Sequence, residues 1–255
     1  MDQQRVTYGQ SIPLRQGQTL RFGGAEPSAW HVVDMRPPKT MLIPLHDDGQ
    51  IRELETFCGL PDDDNPQLSL YIAENGLWVC EDAAGVMPLQ DGEVMHQGNL
   101  WWKFSSADPV DLTLDATDQL GGSRRNPTCH FHVSFDEEHI VLTLQQDDGT
   151  VVDLGERVHH YLLLTLARRR LHDQHTGLDP HEQGWMALEE LSQMLRLDPA
   201  HVNIQIFRAR QQIVKALPGL SYVPQVVERR VGSVRFGSLV FTIARGSAVE
   251  GRSVG

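Results

Sequence analysis

The chain has 255 residues, 40% of them hydrophobic and 22% charged, and its formal net charge is −12. These values are typical of a folded protein with two modest cores or one large one. No stretch approaches the ~20 consecutive apolar residues of a membrane-spanning helix, and residues 1–5 lack the apolar core of a secretion signal. The three cysteines are odd in number and widely spaced, which argues against a disulfide framework or a paired-cysteine zinc site, so we expect a cytoplasmic, reducing environment.

Residues 5–105 consist of short apolar runs separated by turn residues. The runs at residues 19–22, 30–34, 68–72 and 77–80 predict strands, and Asn75-Gly76 between the last two predicts a hairpin turn. We expect long loops over residues 37–66, with one short helix near residues 53–57. A β-sandwich is the fold that this pattern favours.

Breakers in a polar setting mark residues 106–128 as a linker. The predicted domains are residues 1–108, an all-β sandwich; 109–128, the linker; 129–246, a second domain of mixed α and β structure; and 247–255, a flexible tail.

The second half changes from strands to helices and back. Strands are predicted at 131–135, 140–144 and 151–154, and helices at 156–171, 187–195 and 199–217. A closing hairpin is predicted from residues 226–230 and 234–243, with its turn at Gly232-Ser233.

Positive charge is concentrated in this half. Residues 196–245 contain eight Lys/Arg and two Asp/Glu, whereas residues 1–195 contain 13 basic and 31 acidic side chains. A basic block in an acidic chain indicates one surface that meets a polyanion. The alternative is a solvated face on an ordinary acidic protein.

The third predicted helix has an apolar face and a polar face. Asp198 can cap it and Pro199 suits its first turn. The predicted core face consists of Val202, Ile206, Ala209, Ile213, Ala216 and Leu217, and the opposite face and its flanks of His201, Ile204, Gln205, Phe207, Arg208, Arg210 and Gln211. Such a polar face fits a DNA major groove, where Arg reads guanine and Gln reads adenine. Alternatively, Arg208 and Arg210 pair with acidic groups while Ile204 and Phe207 pack on another domain or subunit.

A short helix, a tight turn, this third helix and a cationic hairpin together resemble the winged-helix effector domain of OmpR-like response regulators. The recognition helix of that family has a Val-x-Val-x-Ile-x-Arg-Leu-Arg pattern, and residues 202–210 follow it with Ala209 in place of Leu. The resemblance covers residues 129–245. The segment 174–183 is longer and more polar than in that family, and the hairpin lacks its Gly-x-Gly-Tyr ending.

Residues 89–104 contain a Leu-Gln-Asp-Gly-Glu turn followed, after Gly98, by an alternating aromatic strand. This stretch resembles the closing strands of a forkhead-associated (FHA) domain, although a generic β-sandwich can share such turns. That family captures phosphothreonine with an Arg, a Ser-Arg-x-His segment and an Asn loop, where this chain has Gly24, residues 66–69 and residues 83–86. The resemblance therefore implies a degenerate FHA-like module that binds a protein surface or packs on its own winged helix. Arg21 is the nearest basic residue.

No motif supports catalysis, and we expect neither enzyme activity nor a cofactor. Cys129, His130 and His132 have zinc-binding side chains, but no further Cys/His pair completes a site, so we expect no metal.

Taken together, these features predict a two-domain transcriptional regulator that binds double-stranded DNA. We expect four residues to contact base edges: His201, Ile204, Gln205 and Arg208. Four others are expected to contact phosphates or the minor groove: Arg210, Arg229, Arg230 and Arg235. The acidic first domain could also dock on this basic surface and hold the protein off DNA. The alternative function is a protein–protein adaptor in which both modules bind proteins.

Overall fold

The computed structural model describes residues 12–23, 28–32, 39–45, 49–107 and 126–253. The chain forms two compact units, Met1–Lys39 and Thr40–Gly255. The predicted first domain, residues 1–108, therefore contributes to both units. Most of the predicted linker, residues 109–128, lies outside the described residues, as does Gly24.

The first unit contains an antiparallel hairpin of β1 (Thr19–Phe22) and β2 (Ser28–His31). Thr19 pairs with His31 in the ladder, and the Thr19 hydroxyl lies 2.9 Å from His31 Nδ1.

The second unit begins with eight strands in two antiparallel four-stranded sheets, ordered β4-β3-β10-β9 and β5-β6-β7-β8. The strands are β3 (Met41–Pro44), β4 (Arg52–Glu53), β5 (Phe57–Leu60), β6 (Leu68–Ile72), β7 (Trp78–Glu81), β8 (Val86–Pro88), β9 (Val94–Gln97) and β10 (Leu100–Ser105). Leu42 and Phe104 of one sheet share a buried cluster with Leu70 and Trp78 of the other. The structure is thus rich in β-sheet, and this part of it is compatible with a β-sandwich.

The predicted hairpin at Asn75-Gly76 is confirmed, since β6 pairs with β7 across it and Gly76 has a φ of 79°. The helix expected near residues 53–57 is wrong. The segment instead contributes β4 and β5, and the Leu54 amide donates to Thr40 O at 2.8 Å. A helix of about five residues has little stability of its own, whereas a strand gains hydrogen bonds from its neighbour.

The rest of the second unit combines two further sheets with three helices. Its elements are β11 (Thr128–Val133), β12 (Ile140–Gln145), β13 (Val151–Glu156), α1 (Val158–His175), β14 (Met186–Ala187), α2 (Leu188–Leu195), α3 (Pro199–Ala216), β15 (Val227–Arg230), β16 (Ser233–Phe236), β17 (Phe241–Arg245) and β18 (Ala248–Arg252). A five-stranded sheet has the order β13-β12-β11-β17-β18, with β11 parallel to β17, and a three-stranded sheet has the order β14-β16-β15. None of the helices in the described residues is long and apolar enough to cross a membrane.

One large core joins these sheets to the helices. Three aromatic rings lie at its centre. The centre of the Phe236 ring is 5.9 Å from that of Phe131 and 4.8 Å from that of Phe241, and all three side chains are fully buried. Five residues of the predicted core face of the third helix are buried there, namely Val202, Ile206, Ala209, Ile213 and Leu217, while Ala216 is half-buried.

The C-terminal prediction needs two corrections. The segment 234–243, expected as one strand, is divided between β16 and β17, which belong to different sheets. The expected flexible tail from residue 247 contains β18, which pairs with β17, and Glu250 within it lies 2.8 Å from Arg168 Nε. Residues 248–252 are ordered because they complete the edge of a sheet and pair with α1.

Two adjacent histidines connect α1 to α3. The Nε2 atoms of His159 and His160 lie 2.6 and 2.9 Å from Gln212 Oε1, and Gln212 Nε2 donates to Leu154 O at 2.7 Å. Burial lowers the pKa of His159 to about 4 and also lowers the pKa of His160 from its usual value. Both imidazoles are therefore neutral in the folded protein near pH 7.

We expect the free energy of unfolding to fall as the pH drops from about 6.5 to about 4. In this window the unfolded chain binds protons on these histidines while folded His159 does not, so protons favour unfolding. The loss assigned to His159 is about 2 kcal/mol between pH 7 and pH 5. Urea unfolding at both pH values measures it. His159→Gln should remove part of the pH dependence, and an unchanged dependence in that variant would contradict the assignment.

Candidate nucleic-acid interface

Helices α2 and α3 are joined by a three-residue turn whose ends are capped. Arg196 has a left-handed φ of 54° and ends α2. Asp198 begins α3, where its carboxylate accepts a hydrogen bond from the His201 amide at 2.9 Å, and Pro199 follows in the first turn. These caps satisfy helix-end backbone groups that would otherwise lack partners.

The β15–β16 hairpin follows α3 and shares its sheet with β14, the short strand that precedes α2. Val231 at the hairpin turn is 86% exposed. The guanidinium groups of Arg230 and Arg235 lie 4.4 and 4.7 Å from the centre of the Trp185 ring, so they form cation–π contacts. Arg235 also pairs with Glu228.

The structure separates the eight predicted DNA-contacting residues into two groups. His201, Arg208 and Arg230 are exposed and Ile204 is half-buried, while the Arg235 side chain is 14% exposed and bonded to Glu228 and to His181 O. By contrast Gln205 and Arg210 are 8% and 2% exposed, and the Arg229 side chain is 4% exposed. The second group faces protein in this structure rather than solvent.

The buried arginines meet a single carboxylate of the β5-β6-β7-β8 sheet, that of Glu81 on β7. Arg210 Nη1 lies 2.8 Å from Glu81 Oε2, and Arg229 Nε lies 3.0 Å from Glu81 Oε1. The Tyr71 hydroxyl donates to Glu81 Oε2 at 2.8 Å, and the Arg210 guanidinium lies 5.2 Å from the Tyr71 ring centre. We refer to Glu81, Tyr71, Arg210 and Arg229 as the Glu81 cluster.

Remaining donors in the Glu81 cluster also have partners. Arg210 Nη2 donates to Val227 O at 2.7 Å, and Arg229 Nη2 donates to Asn203 Oδ1 at 2.8 Å. Burial raises the pKa of the Glu81 carboxyl, but the charges of Arg210 and Arg229 outweigh burial and bring the pKa below its usual value. Glu81 is therefore an anion between two cations, and the cluster carries a net charge of +1.

An apolar contact flanks the Glu81 cluster on one side. The Phe207 ring of α3 lies 4.7 Å from the Phe57 ring, centre to centre, and Phe207 is 2% exposed. A methyl group at Gly59 would lie 2.8 Å from the Phe207 ring, so the strand and the helix touch at this point. Beside them Gln211 Nε2 donates to Asp63 Oδ2 at 2.8 Å.

The apolar contact continues beyond α3, and Phe57 packs against this part too. The Val223 amide donates to Ile72 O at 2.8 Å, and Tyr71, Ala73 and Val79 form a buried cluster with Val223. We use the name sheet–helix contact for the whole surface made by β5–β7 against α3, β15 and Val223. It combines one apolar cluster, around Phe57, Tyr71 and Val223, with the ionic Glu81 cluster.

The Glu81 cluster borders a small cavity of about 20 Å³, about the space of one water molecule. Its lining includes the two segments compared above with phosphothreonine-binding loops, through Pro66, Gln67 and Ser69 in one and Ala83 in the other. Asn203 and Arg229 line the opposite side. These two sandwich loops therefore face α3 and the β15–β16 hairpin.

The sequence indicated α3 but not its partner. Glu81 ends a run of four buried strand residues, Trp78–Glu81, and a charged residue in such a run was the available signal. Fully buried carboxylates are rare unless they are paired, so this position predicts a cationic partner without identifying it.

Cys129, His130 and His132, whose side chains are of the kinds that bind zinc, lie on β11. Cys129 is buried, and burial raises the pKa of its thiol to about 12. His130 Nε2 lies 3.2 Å from Gln145 Oε1. Across the part of the chain that the structure describes, no group of three or more His, Cys, Asp and Glu residues is arranged to hold a metal ion.

Comparison with known proteins gives no relative. No protein-family model, no curated protein and no solved structure matches the chain.

Proposed function

We propose that this chain is a transcriptional regulator that binds double-stranded DNA through a winged helix-turn-helix at residues 129–246. The observation that carries the proposal is the order α2, tight turn, α3 and β15–β16 hairpin, with the hairpin joined to β14 in one sheet. This order supports a recognition helix followed by a wing. The preceding strands, in this proposal, form a degenerate FHA-like interaction or sensor module.

Exposed side chains on α3 and the hairpin supply the chemistry. Arg208 is free to approach base edges, with Ile204 half-buried nearby. His201 is also exposed, and its Nδ1 lies 2.7 Å from Asp198 Oδ2, so it must leave this partner to present that nitrogen to DNA. Arginine can donate two hydrogen bonds to guanine in the major groove. Arg230 at the hairpin is suited to a phosphate, because its side chain is 49% exposed and its ion pair with Glu182, at 3.3 Å, is also exposed. Arg210 and Arg229 reach DNA only if the sheet–helix contact opens, and Gln205 is 8% exposed on another flank of α3.

The test is duplex affinity, measured by fluorescence anisotropy at several salt concentrations, for the full chain and two arginine variants. Arg208→Ala is expected to weaken binding by 1–3 kcal/mol, roughly 5- to 150-fold, since it removes a base contact. The matched control, Arg252→Ala, removes an exposed arginine of β18 and is expected to leave affinity within about twofold.

Salt dependence provides the second readout. Each phosphate contact contributes about −0.9 to the slope of log affinity against log salt concentration, so a wild-type slope near zero would contradict the proposal. Equal affinities of Arg208→Ala and Arg252→Ala would contradict the assigned role of α3.

A protein–protein adaptor is the second candidate function. The burial of Phe207 against Phe57 favours it, since an apolar side chain at the centre of the polar helix face suits a protein contact better than a DNA backbone. Absence of duplex binding at low salt, together with co-purification of a protein partner, would favour the adaptor.

A further inference from the structure

We propose that Glu81 occupies the position of a DNA phosphate between Arg210 and Arg229, so that the sandwich and duplex DNA compete for these two arginines. The competition rests on the proposed function for its DNA half. The stabilisation of the sheet–helix contact by Glu81 does not depend on that function, because it follows from the distances between Glu81 and the two arginines.

The Glu81 carboxylate offers the arginines the same kind of hydrogen bond as a DNA phosphate. Carboxylate and phosphate are both oxyanions that accept charge-assisted hydrogen bonds from guanidinium groups. Glu81 receives one guanidinium on each oxygen, at 2.8 and 3.0 Å. The two arginines come from α3 and from the β15–β16 hairpin, so one anion spans the two elements.

The sheet–helix contact blocks access of DNA to Arg210 and Arg229. The side chains of Arg210 and Arg229 are 3% and 4% exposed, so a polyanion cannot reach them while Glu81 is in place. Phe207 and Asn203 are covered by the same contact, which leaves Arg208 as the exposed arginine of α3. Binding that uses both elements therefore requires that the sheet–helix contact separate.

Opening the contact separates ionic and apolar groups with different energies. Glu81 and both arginines regain water when the contact opens, so the Glu81 cluster contributes less to closure than its short distances suggest. The apolar packing of Phe207, Phe57, Tyr71 and Val223 supplies the remaining stabilisation. Such a mixed contact can be in equilibrium with an open form, and the apparent affinity for DNA is reduced by the fraction that is open.

The main test uses the full chain with Glu81→Gln. The substitution removes the anion and leaves two buried cations unbalanced, which favours the open form. We expect duplex affinity to increase at least about tenfold. Glu55→Gln is the matched control, because Glu55 is an exposed acidic residue whose substitution changes the net charge equally. Its affinity is expected to stay within about twofold of the wild type.

A second variant opens the contact without altering a charge. In Gly59→Ala the added methyl group would lie 2.8 Å from the Phe207 ring and 2.9 Å from Asp62 O, so the ring and the turn after β5 must shift, which loosens the packing of α3 on β5. Duplex affinity is expected to rise in this variant too. Neither Glu81 nor Gly59 is a proposed DNA contact, so a gain in affinity cannot come from a new contact at a DNA-binding residue.

Hydrogen exchange of the Val223 amide measures opening independently of DNA. This amide donates across the contact to Ile72 O, so it exchanges when the contact separates. Faster exchange at Val223 with tighter duplex binding in both variants supports the proposal. Unchanged exchange and unchanged affinity in Gly59→Ala and Glu81→Gln overturn it. Faster exchange with no duplex binding by any form overturns the competition and the proposed function together. In that case Glu81 stabilises the sheet–helix contact without competing with DNA.

Discussion

Arg210→Ala is expected to lower the free energy of unfolding of the Thr40–Gly255 unit by about 3 kcal/mol, whereas Arg208→Ala changes it by less than about 0.5 kcal/mol. The two arginines stand two positions apart on α3, and the sequence pattern assigns both to DNA. Arg208 is exposed, and Arg210 is 2% exposed.

The difference arises from what each substitution leaves behind. Removing Arg210 leaves Val227 O without its 2.7 Å donor and Glu81 with Arg229 as its remaining cation. Breaking a buried ion pair by deleting one partner typically costs 3–5 kcal/mol, and the retained Arg229 places this case near the lower end. Removing Arg208 exposes no buried charge.

Urea unfolding of both variants followed by circular dichroism measures the difference. Arg210→Lys serves as a further comparison, since it keeps the positive charge but loses the planar donor pair, and its stability should fall between those of the wild type and Arg210→Ala. Equal stabilities of Arg208→Ala and Arg210→Ala would show that the Glu81 cluster does not form in solution.

Phe236→Ala is expected to destabilise the protein by 3–5 kcal/mol, since it leaves a cavity at the centre of the largest core. The Phe236 ring contacts Phe131 and Phe241 of the five-stranded sheet while its backbone belongs to the three-stranded sheet. It therefore links the two sheets.

Phe135→Ala is the matched control, because Phe135 is 78% exposed and its removal is expected to cost less than about 1 kcal/mol. Thermal unfolding of the two variants distinguishes them. A small effect of Phe236→Ala would mean that the sheets do not depend on the ring cluster for their packing.

Local patterns in the sequence predicted several parts of this structure well. The 3.6-residue period placed Val202, Ile206, Ala209 and Ile213 on the core face of α3, because burial of one helix face repeats with the helical turn. Asn75-Gly76 predicted the β6–β7 hairpin because its turn requires backbone angles that Gly adopts readily.

Features that depend on long-range partners were not predicted. Helical periodicity shows that Arg210 lies off the core face, but it cannot show that Glu81 covers it from a strand in the other half of the chain. In the same way, β4 has only two residues and β18, Ala-Val-Glu-Gly-Arg, has no alternating apolar pattern, so neither is recognised locally. Each exists because it pairs with a neighbouring strand. The predicted roles of Gln205, Arg210 and Arg229 depended on an exposure that only the whole fold determines.

The parallel pairing of β11 with β17 has a consequence for how the protein is made. Cys129 of β11 lies opposite Phe241 of β17 in the middle of the five-stranded sheet, with all three helices between them in the chain. During synthesis on the ribosome the centre of this sheet must wait for β17 to emerge, which leaves an edge of β11 without its neighbour for most of that time. Such long-range closure slows folding and exposes strand edges to other chains. A nascent chain of this topology is therefore open to aggregation through β11 until β17 is synthesised.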